Sequence, residues 1–202
     1  GNSFFFVETS PIALRSVTGS FRSKIVFRNE DNGNLVFVDY NEVDPSAIEI
    51  KDTIDSYHPD ISPDGSKVAF CTSFEGFSSK SELYVRNLNV MNSGLVKLDV
   101  ESAAIPRWRV LDNGDTVIVY VSSAEDNSDE LVFKKESTWQ VAFSNGKFGE
   151  PKKLFDGAFH GGVSRDDSFA VSGSRLLKAR MGDVDTVLYN GEQACNVSLA
   201  KD

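Results

Sequence analysis

The sequence predicts an all-β protein, a β-propeller with blades of about 40 to 50 residues. Two observations carry this prediction: a seven-residue phrase recurs along the chain, and short alternating apolar runs follow its copies. Each copy has a polar first residue, an aliphatic fourth residue and a turn-forming end. The copies are residues 58–64, 107–113, 160–166 and 196–202. Their spacing fits propeller blades, so we expect five blades, four recognisable and one truncated or closed by a separate strand.

The turns between the predicted strands have the chemistry of tight hairpins. In Ser62-Pro63-Asp64-Gly65, proline fixes φ, aspartate can bond its own backbone, and glycine accepts a positive φ. Asn113-Gly114 is a second strong hairpin signal between apolar runs. The second strands of these two blades are predicted at residues 67–70 and 116–121. The outer strands are predicted at residues 82–86, 130–133 and 139–143.

The first and last blades have weaker patterns. A degenerate blade is expected from strands at 24–28 and 34–39, after a decayed phrase at 17–22. The fourth blade is expected from strands at 168–172, 175–178 and 185–189. The predicted blades span 17–50, 51–100, 101–157 and 158–192, with 193–202 opening the last one. We interpret residues 1–202 as a single propeller domain excised from a longer protein, with 3–7 as a possible closing strand.

Composition excludes several classes of function. The chain has 202 residues, a formal charge of −9 and a pI near 4.8, which argues against nucleic acid as a partner. No apolar run is long enough for a transmembrane segment, so membrane anchoring is expected only through a lipid on the parent chain. Cys71 and Cys195 lack metal-ligand spacing and are interpreted as buried structural thiols. We therefore expect no cofactor and no metal.

A catalytic set is not recognisable in the sequence. His58 and His160 are the only histidines, and the chain contains no Gly-x-Ser-x-Gly motif. The carboxylates that close the repeated phrases are explained by turn chemistry rather than by acid and base catalysis. The expectation from the sequence is therefore that the protein is not an enzyme.

Residues 58–70, followed by Leu83-Tyr84, resemble the repeat of the TolB-like, PD40-type propellers. In that family the ring serves protein contacts in the bacterial envelope or is attached to a peptidase. The resemblance therefore implies an extracytoplasmic location, in the periplasm or at the cell surface. Residues 58–72 with Glu75-Gly76, and the ending at 195–202, are more narrowly similar to a paralogous family of large predicted lipoproteins of Fibrobacter. Neither resemblance carries a catalytic residue onto this chain.

The repeated phrase also predicts a binding site. Residues that open the innermost strands should point the same way in every blade and converge at one end of the central channel. Aromatic neighbours would offer stacking surfaces there. The predicted rim residues are His58, Arg107, His160 and Asn196, with Trp108 and Tyr57 beside them. The alternative is that these polar side chains only bond neighbouring blades and channel water.

The expected function is that of a binding or protein-interaction propeller of a bacterial envelope protein, with a protein or a glycan as its partner. One alternative is a carbohydrate-binding or carbohydrate-processing propeller. Another is a propeller that gates a hydrolase domain elsewhere in the parent chain.

Overall fold

The computed structural model describes residues 10–20, 22–52, 54–76, 80–89, 93–125, 130–172, 177–188, 190 and 197–199. Within these ranges, antiparallel strands form four separate sheets of three to five strands, with one short helix before the first sheet and another between two strands of the third. The chain has an all-β, β-propeller-like fold, as the sequence predicted. The blade boundaries and the single-domain interpretation stay predictions.

The first sheet has the order β1-β2-β3, with β1 at Lys24–Arg28, β2 at Leu35–Asp39 and β3 at Ala47–Ile50. A helix, α1 at Pro11–Thr18, precedes it. The Ser10 hydroxyl caps this helix by accepting from the Ala13 N–H at 3.1 Å, and Gly19 ends it at φ 73°. The decayed phrase predicted at 17–22 therefore begins within the end of this helix.

The second sheet follows the repeated phrase closely. Its strands are β4 at Tyr57–Ile61, β5 at Lys67–Cys71, β6 at Leu83–Asn87 and β7 at Val96–Lys97, in that order. In the turn between β4 and β5, the Gly65 N–H donates to the Ser62 carbonyl at 2.8 Å. The Asp64 carboxylate accepts from the Ser62 hydroxyl at 2.6 Å and from the Ser66 N–H at 3.0 Å. The predicted local turn chemistry is thus present.

The third sheet differs from its prediction. Its strands are β8 at Ala104–Val110, β9 at Thr116–Val121, β10 at Ser137–Ser144, β11 at Lys147–Phe148 and β12 at Lys152–Asp156, with both β11 and β12 paired to β10. Residues 130–133, predicted as a strand, instead begin helix α2 at Glu130–Lys135. The Phe133 ring packs edge-on against Phe159 at 5.0 Å, and this tertiary contact holds the segment outside the sheet. As a result β10 pairs directly with β9, although the prediction placed the strand at 130–133 between them.

The fourth sheet has the order β13-β14-β15-β16, with bounds Gly162–Val163, Phe169–Val171, Lys178–Met181 and Val184–Val187. Its third strand begins at Lys178, where the prediction ended it. Beyond this sheet, residues 197–199 run beside β13, and the Leu199 N–H donates to the Gly161 carbonyl at 2.8 Å. Residues 3–7 and Cys195 lie outside the described residues.

Neighbouring sheets pack face to face and share buried side chains. β4 lies beside β1 on one side and beside β8 on the other. Leu35, Phe37 and Phe70 belong to the apolar cluster between the first and second sheets. Trp108 and Ile118 belong to the cluster between the second and third sheets. This packing brings β4, β8 and β13 around a common cavity.

Candidate functional site

A cavity of about 590 Å³ lies where the inner strands of three sheets converge. The end of β4, most of β8 and the start of β13 form its walls, and residues 198–199 lie on its remaining side. Gly161 permits this arrangement, because a Cβ atom there would meet the Val197 carbonyl oxygen at 2.8 Å. The cavity is of the size that holds small ligands or a few side chains of a partner.

The lining of this cavity is basic, although the whole chain is acidic. Three arginines line it, Arg107, Arg109 and Arg165, and none of the described lining residues is an aspartate or a glutamate. Arg109 is engaged through its two terminal nitrogens, although its Nε has no partner: Nη2 donates to Asp167 Oδ1 at 2.6 Å and to the Arg165 carbonyl at 2.9 Å, and Nη1 donates to Gln140 Oε1 at 3.1 Å. Its charge is therefore neutralised within the protein.

Arg107 is in a different situation. Its side chain is half-buried, and its Nε lies out of contact with solvent without a hydrogen-bond acceptor. Within the described part of the chain, no carboxylate is close enough to form an ion pair with its guanidinium. A buried donor without a partner costs about 1–3 kcal/mol, so this guanidinium is poised to meet an external acceptor.

His58 lies close enough to Arg107 to be influenced by its charge. Burial, and secondarily the Arg107 guanidinium, lower the pKa of His58 to about 4, so the imidazole is neutral at neutral pH. Its Nε2 is buried and unpartnered. Its ring stacks on Phe74, with the centroids 6.4 Å apart and the planes inclined by 25°.

His160 belongs to the same group. It is 8% exposed, and its Nε2 lies 3.9 Å from Glu75 Oε1. Burial lowers the pKa of His160, and Arg107 and His58 act in the same direction, while Glu75 opposes them. Two neutral imidazoles therefore accompany one positively charged guanidinium.

His58, His160 and Arg107 are brought together, but His58 and Arg107 lie differently relative to the bulges of their strands. Asp60 pairs with Ala69 on β5, and Arg107 pairs with Val119 on β9. In both strands a bulge precedes that pair, and the bulge residues with positive φ are His58 at 50° and Ile105 at 51°. Counted from the bulge, Arg107 thus occupies the position of Asp60, whereas counted from the turns, at Ser62 and Leu111, it matches His58. The reason is that β8 is two residues longer than β4.

The two predicted aromatic residues have separate roles. The Tyr57 hydroxyl donates to Asp55 Oδ2 at 3.0 Å, and the Arg28 guanidinium lies 4.4 Å from its ring centroid. Trp108 is 3% exposed and packs in the cluster between the second and third sheets. Little of its ring is left for a ligand to stack on. Asn196 lies outside the described residues.

Sequence reasoning missed Phe74, Glu75 and the Arg109 pair with Asp167. Phe74 and Glu75 lie in the loop that follows β5, and Phe74 is 53% exposed beside His58. An exposed aromatic residue just after an inner hairpin is a signal that could have indicated the rim. The Arg109 pair joins residues from different sheets, so no local pattern indicates it.

The sulfur chemistry near the site is structural. Cys71 is fully buried, and its Sγ accepts from the Ile105 N–H at 3.4 Å. Burial raises the pKa of the Cys71 thiol, which disfavours the reactive thiolate. In the part of the chain that the structure describes, no group of three or more potential metal ligands comes together.

No protein-family model and no characterised sequence matches the chain. Three solved structures are similar to it. TolB from Acinetobacter baumannii aligns with a TM-score of 0.44 and 19% identity over 84% of this chain and 44% of its own. A puromycin-hydrolyzing peptidase of Mycobacterium tuberculosis aligns with a TM-score of 0.49 and 14% identity over 82% and 29%. An acylaminoacyl peptidase of Pyrococcus horikoshii aligns with a TM-score of 0.41 and 16% identity over 82% and 30%.

The propeller-like fold of the chain is similar to that of TolB, and the similarity to the Fibrobacter lipoproteins stays a prediction. The chain spans less than half the length of each of the three structures. Two of them are peptidases, and this corrects the expectation that the protein is not an enzyme. None of the helices in the described ranges is long and apolar enough to cross a membrane.

Proposed function

We propose that this chain is a binding propeller whose central cavity receives a carboxylate-bearing segment of a protein partner. The observation that supports the proposal is Arg107, a guanidinium that lines the cavity without a carboxylate of the described chain to neutralise it. Arginine binds carboxylates through two parallel N–H···O bonds, and such charge-assisted bonds are the strongest available to a side chain here.

The neighbours of Arg107 favour an anion in the same cavity. Arg165 also lines the cavity, and its Nε lies 3.9 Å from Asp112 Oδ1. His58 does not line the cavity, but it lies near Arg107, and its neutral imidazole has a buried Nε2 that can donate in the appropriate tautomer. An incoming carboxylate would meet donors and positive charge from two sheets at once.

We also propose a setting for this activity. The motif at residues 58–70 supports an extracytoplasmic location in the cell envelope, in line with TolB-like propellers. The narrower similarity to the Fibrobacter lipoproteins supports a lipid anchor on the parent chain. A protein of the envelope that binds another protein through its channel would combine these features.

The proposal is tested by titration calorimetry with acetyl-Glu-Glu-amide and its neutral counterpart, acetyl-Gln-Gln-amide. We expect saturable binding of the acidic dipeptide and no binding of the neutral one. The affinity for the acidic dipeptide should fall as the salt concentration rises. Arg107→Gln should reduce its affinity at least tenfold, because a hydrogen bond to a charged group contributes about 1.5–3 kcal/mol. Arg22→Gln removes the same charge from an exposed residue outside the cavity and serves as the control.

Two results would overturn the proposal. One is equal binding of both dipeptides, or of neither. The other is an equal loss of affinity in the Arg107 and Arg22 variants, which would indicate a general effect of net charge. Saturable binding of a neutral oligosaccharide that Arg107→Gln leaves unchanged would favour the carbohydrate alternative instead.

A further inference from the structure

A second cavity, of about 520 Å³, lies between the second and third sheets and shares no lining residue with the channel cavity. The loops that leave β9 and enter β10 form one side, and the loop that enters β8 forms the other. Its charged and aromatic lining residues are Lys80, Glu101, Tyr120, Glu125, Glu136 and Trp139. This lining contains three glutamates and two aromatic residues, whereas the lining of the channel cavity is basic.

Two aromatic side chains form one wall of this second cavity. Tyr120 on β9 and Trp139 on β10 are directly opposite each other in the antiparallel register. Tyr120 is 3% exposed, yet its hydroxyl has no hydrogen-bond partner in the described chain. Burial raises the pKa of Tyr120 to about 12, so the hydroxyl stays protonated and can both donate and accept. A hydroxyl that borders a cavity and has no protein partner is available to a ligand.

The carboxylates of this cavity are only partly neutralised. Lys80 Nζ pairs with Glu101 Oε1 at 2.9 Å, which cancels one negative charge. Glu136 accepts a hydrogen bond from the Ser122 hydroxyl at 2.5 Å, and this neutral donor leaves its charge in place. Within the described residues, neither Glu125 nor Glu136 forms an ion pair. Two negative charges therefore face a half-open space beside an indole and a phenol.

We infer that this second cavity binds an ammonium or guanidinium group, as carried by a lysine or arginine side chain of a protein or by a free polyamine. The carboxylates of Glu125 and Glu136 would form charge-assisted hydrogen bonds with the cation. The Trp139 ring would add an attraction between the cation and its π face. The Tyr120 hydroxyl would accept one further N–H. The inference rests on a different cavity from the proposed function, so either can fail without the other.

The test is a binding titration of the intact chain with acetyl-arginine methylamide, followed by nuclear magnetic resonance or calorimetry. Acetyl-citrulline methylamide, which has the same shape without the charge, should bind at least tenfold more weakly. Acetyl-lysine methylamide represents the other side chain, and 1,5-diaminopentane represents a free polyamine. Tighter binding of the capped amino acids than of the diamine would indicate a protein side chain as the ligand, and the reverse would indicate a polyamine.

Variants assign the binding to this cavity. The double variant Glu125→Gln with Glu136→Gln should lose at least tenfold in affinity for the arginine derivative, whereas the exposed control Glu42→Gln should change less than twofold. Tyr120→Phe removes only the hydroxyl and should weaken binding two- to fivefold. Lys80→Met removes the competing cation and should tighten binding, a gain that a damaged fold would not produce.

Three results would overturn the inference. They are equal affinity for the arginine and citrulline derivatives, equal losses in the Glu42 variant and the double variant, and weaker binding in Lys80→Met. Saturable binding of a neutral sugar that the double variant leaves unchanged would also overturn it, because it would assign the aromatic wall to carbohydrate.

Discussion

Trp108 donates two hydrogen bonds to Asp60, one from its backbone N–H to Oδ2 at 2.6 Å and one from its indole Nε1 to the carbonyl at 3.0 Å. This pair of bonds joins β8 to β4, the neighbouring inner strands that carry Arg107 and His58. Because the indole is 3% exposed, neither bond has a convenient replacement from solvent. The pair thus connects the second sheet to the third beside the channel cavity.

Trp108→Phe should lower the free energy of unfolding by about 2–4 kcal/mol, since it removes the indole hydrogen bond and leaves a cavity in the core. Asp60→Ala should cost about 1–3 kcal/mol, because the Trp108 N–H then lacks its acceptor. Chemical unfolding followed by circular dichroism measures both. A cost below 0.5 kcal/mol for both variants would contradict a structural role for the pair.

The free energy of unfolding should fall as the pH is lowered from about 6.5 to about 4, because His58 keeps a pKa near 4 in the folded protein and regains its ordinary value on unfolding. The unfolded chain binds a proton in this window that the folded chain does not. The loss attributable to His58 is at most about 3 kcal/mol and is absent above about pH 6.5.

His58→Asn tests this, because asparagine tolerates the positive φ of 50° at that position but does not titrate. Urea unfolding at several values of pH should give a flatter dependence for the variant than for the natural sequence. Identical slopes for the two proteins between pH 4 and 6.5 would show that His58 is not the group responsible.

Gly157→Ala should be markedly destabilising, because the residue has a φ of 96° and a Cβ atom there would collide with the Phe133 ring. Gly114 is the matched control: its φ is 86°, but a Cβ atom would meet nothing within 4 Å. Gly114→Ala should cost about 1–2 kcal/mol for backbone strain alone. Gly157→Ala should cost roughly 1–3 kcal/mol more in chemical unfolding. Equal costs would show that the Phe133 ring moves aside for the added methyl group without a further loss of stability.

Glu130→Ala should destabilise the protein more than Lys178→Met does. Lys178 is 2% exposed, its Nζ lies 2.9 Å from Glu130 Oε1, and it sits 4.3 Å from the centroid of the Phe133 ring. Removing the carboxylate leaves a buried ammonium unpaired, whereas methionine replaces the whole lysine with an apolar chain. Lys134→Met removes the exposed partner of Glu130 and should have little effect on the melting temperature. The opposite order of the first two variants would contradict this account.

Elements with local chemistry were predictable from the sequence. The hairpin at Ser62-Pro63-Asp64-Gly65 forms because proline, aspartate and glycine each favour the turn without help from distant residues. Helix α2 was not predictable in this way. It has only six residues, too few to be stable alone. It depends on the contact of Phe133 with Phe159 and on the bond between Glu130 and Lys178.

The candidate site was predictable only in part. The repeated phrase predicted that His58, His160 and Arg107 would share one rim; His58 and His160 are both influenced by the charge of Arg107, and the rim itself stays a prediction. It could not indicate the position of the bulge, which depends on the lengths of two paired strands rather than on residue type. The cavity between the second and third sheets was missed, because Tyr120 and Trp139 meet only once β9 and β10 are paired.

The two extra residues of β8 have a consequence for how such proteins diversify. Each residue advances a strand by about 3.3 Å, so the bulge of β8 lies roughly 6 to 7 Å farther from its turn than the bulge of β4 does. No substitution is needed for this shift. A small insertion in one hairpin would be enough to change the depth at which an anion binds in the cavity. Repeats that share one sequence pattern can in this way present different groups to a ligand.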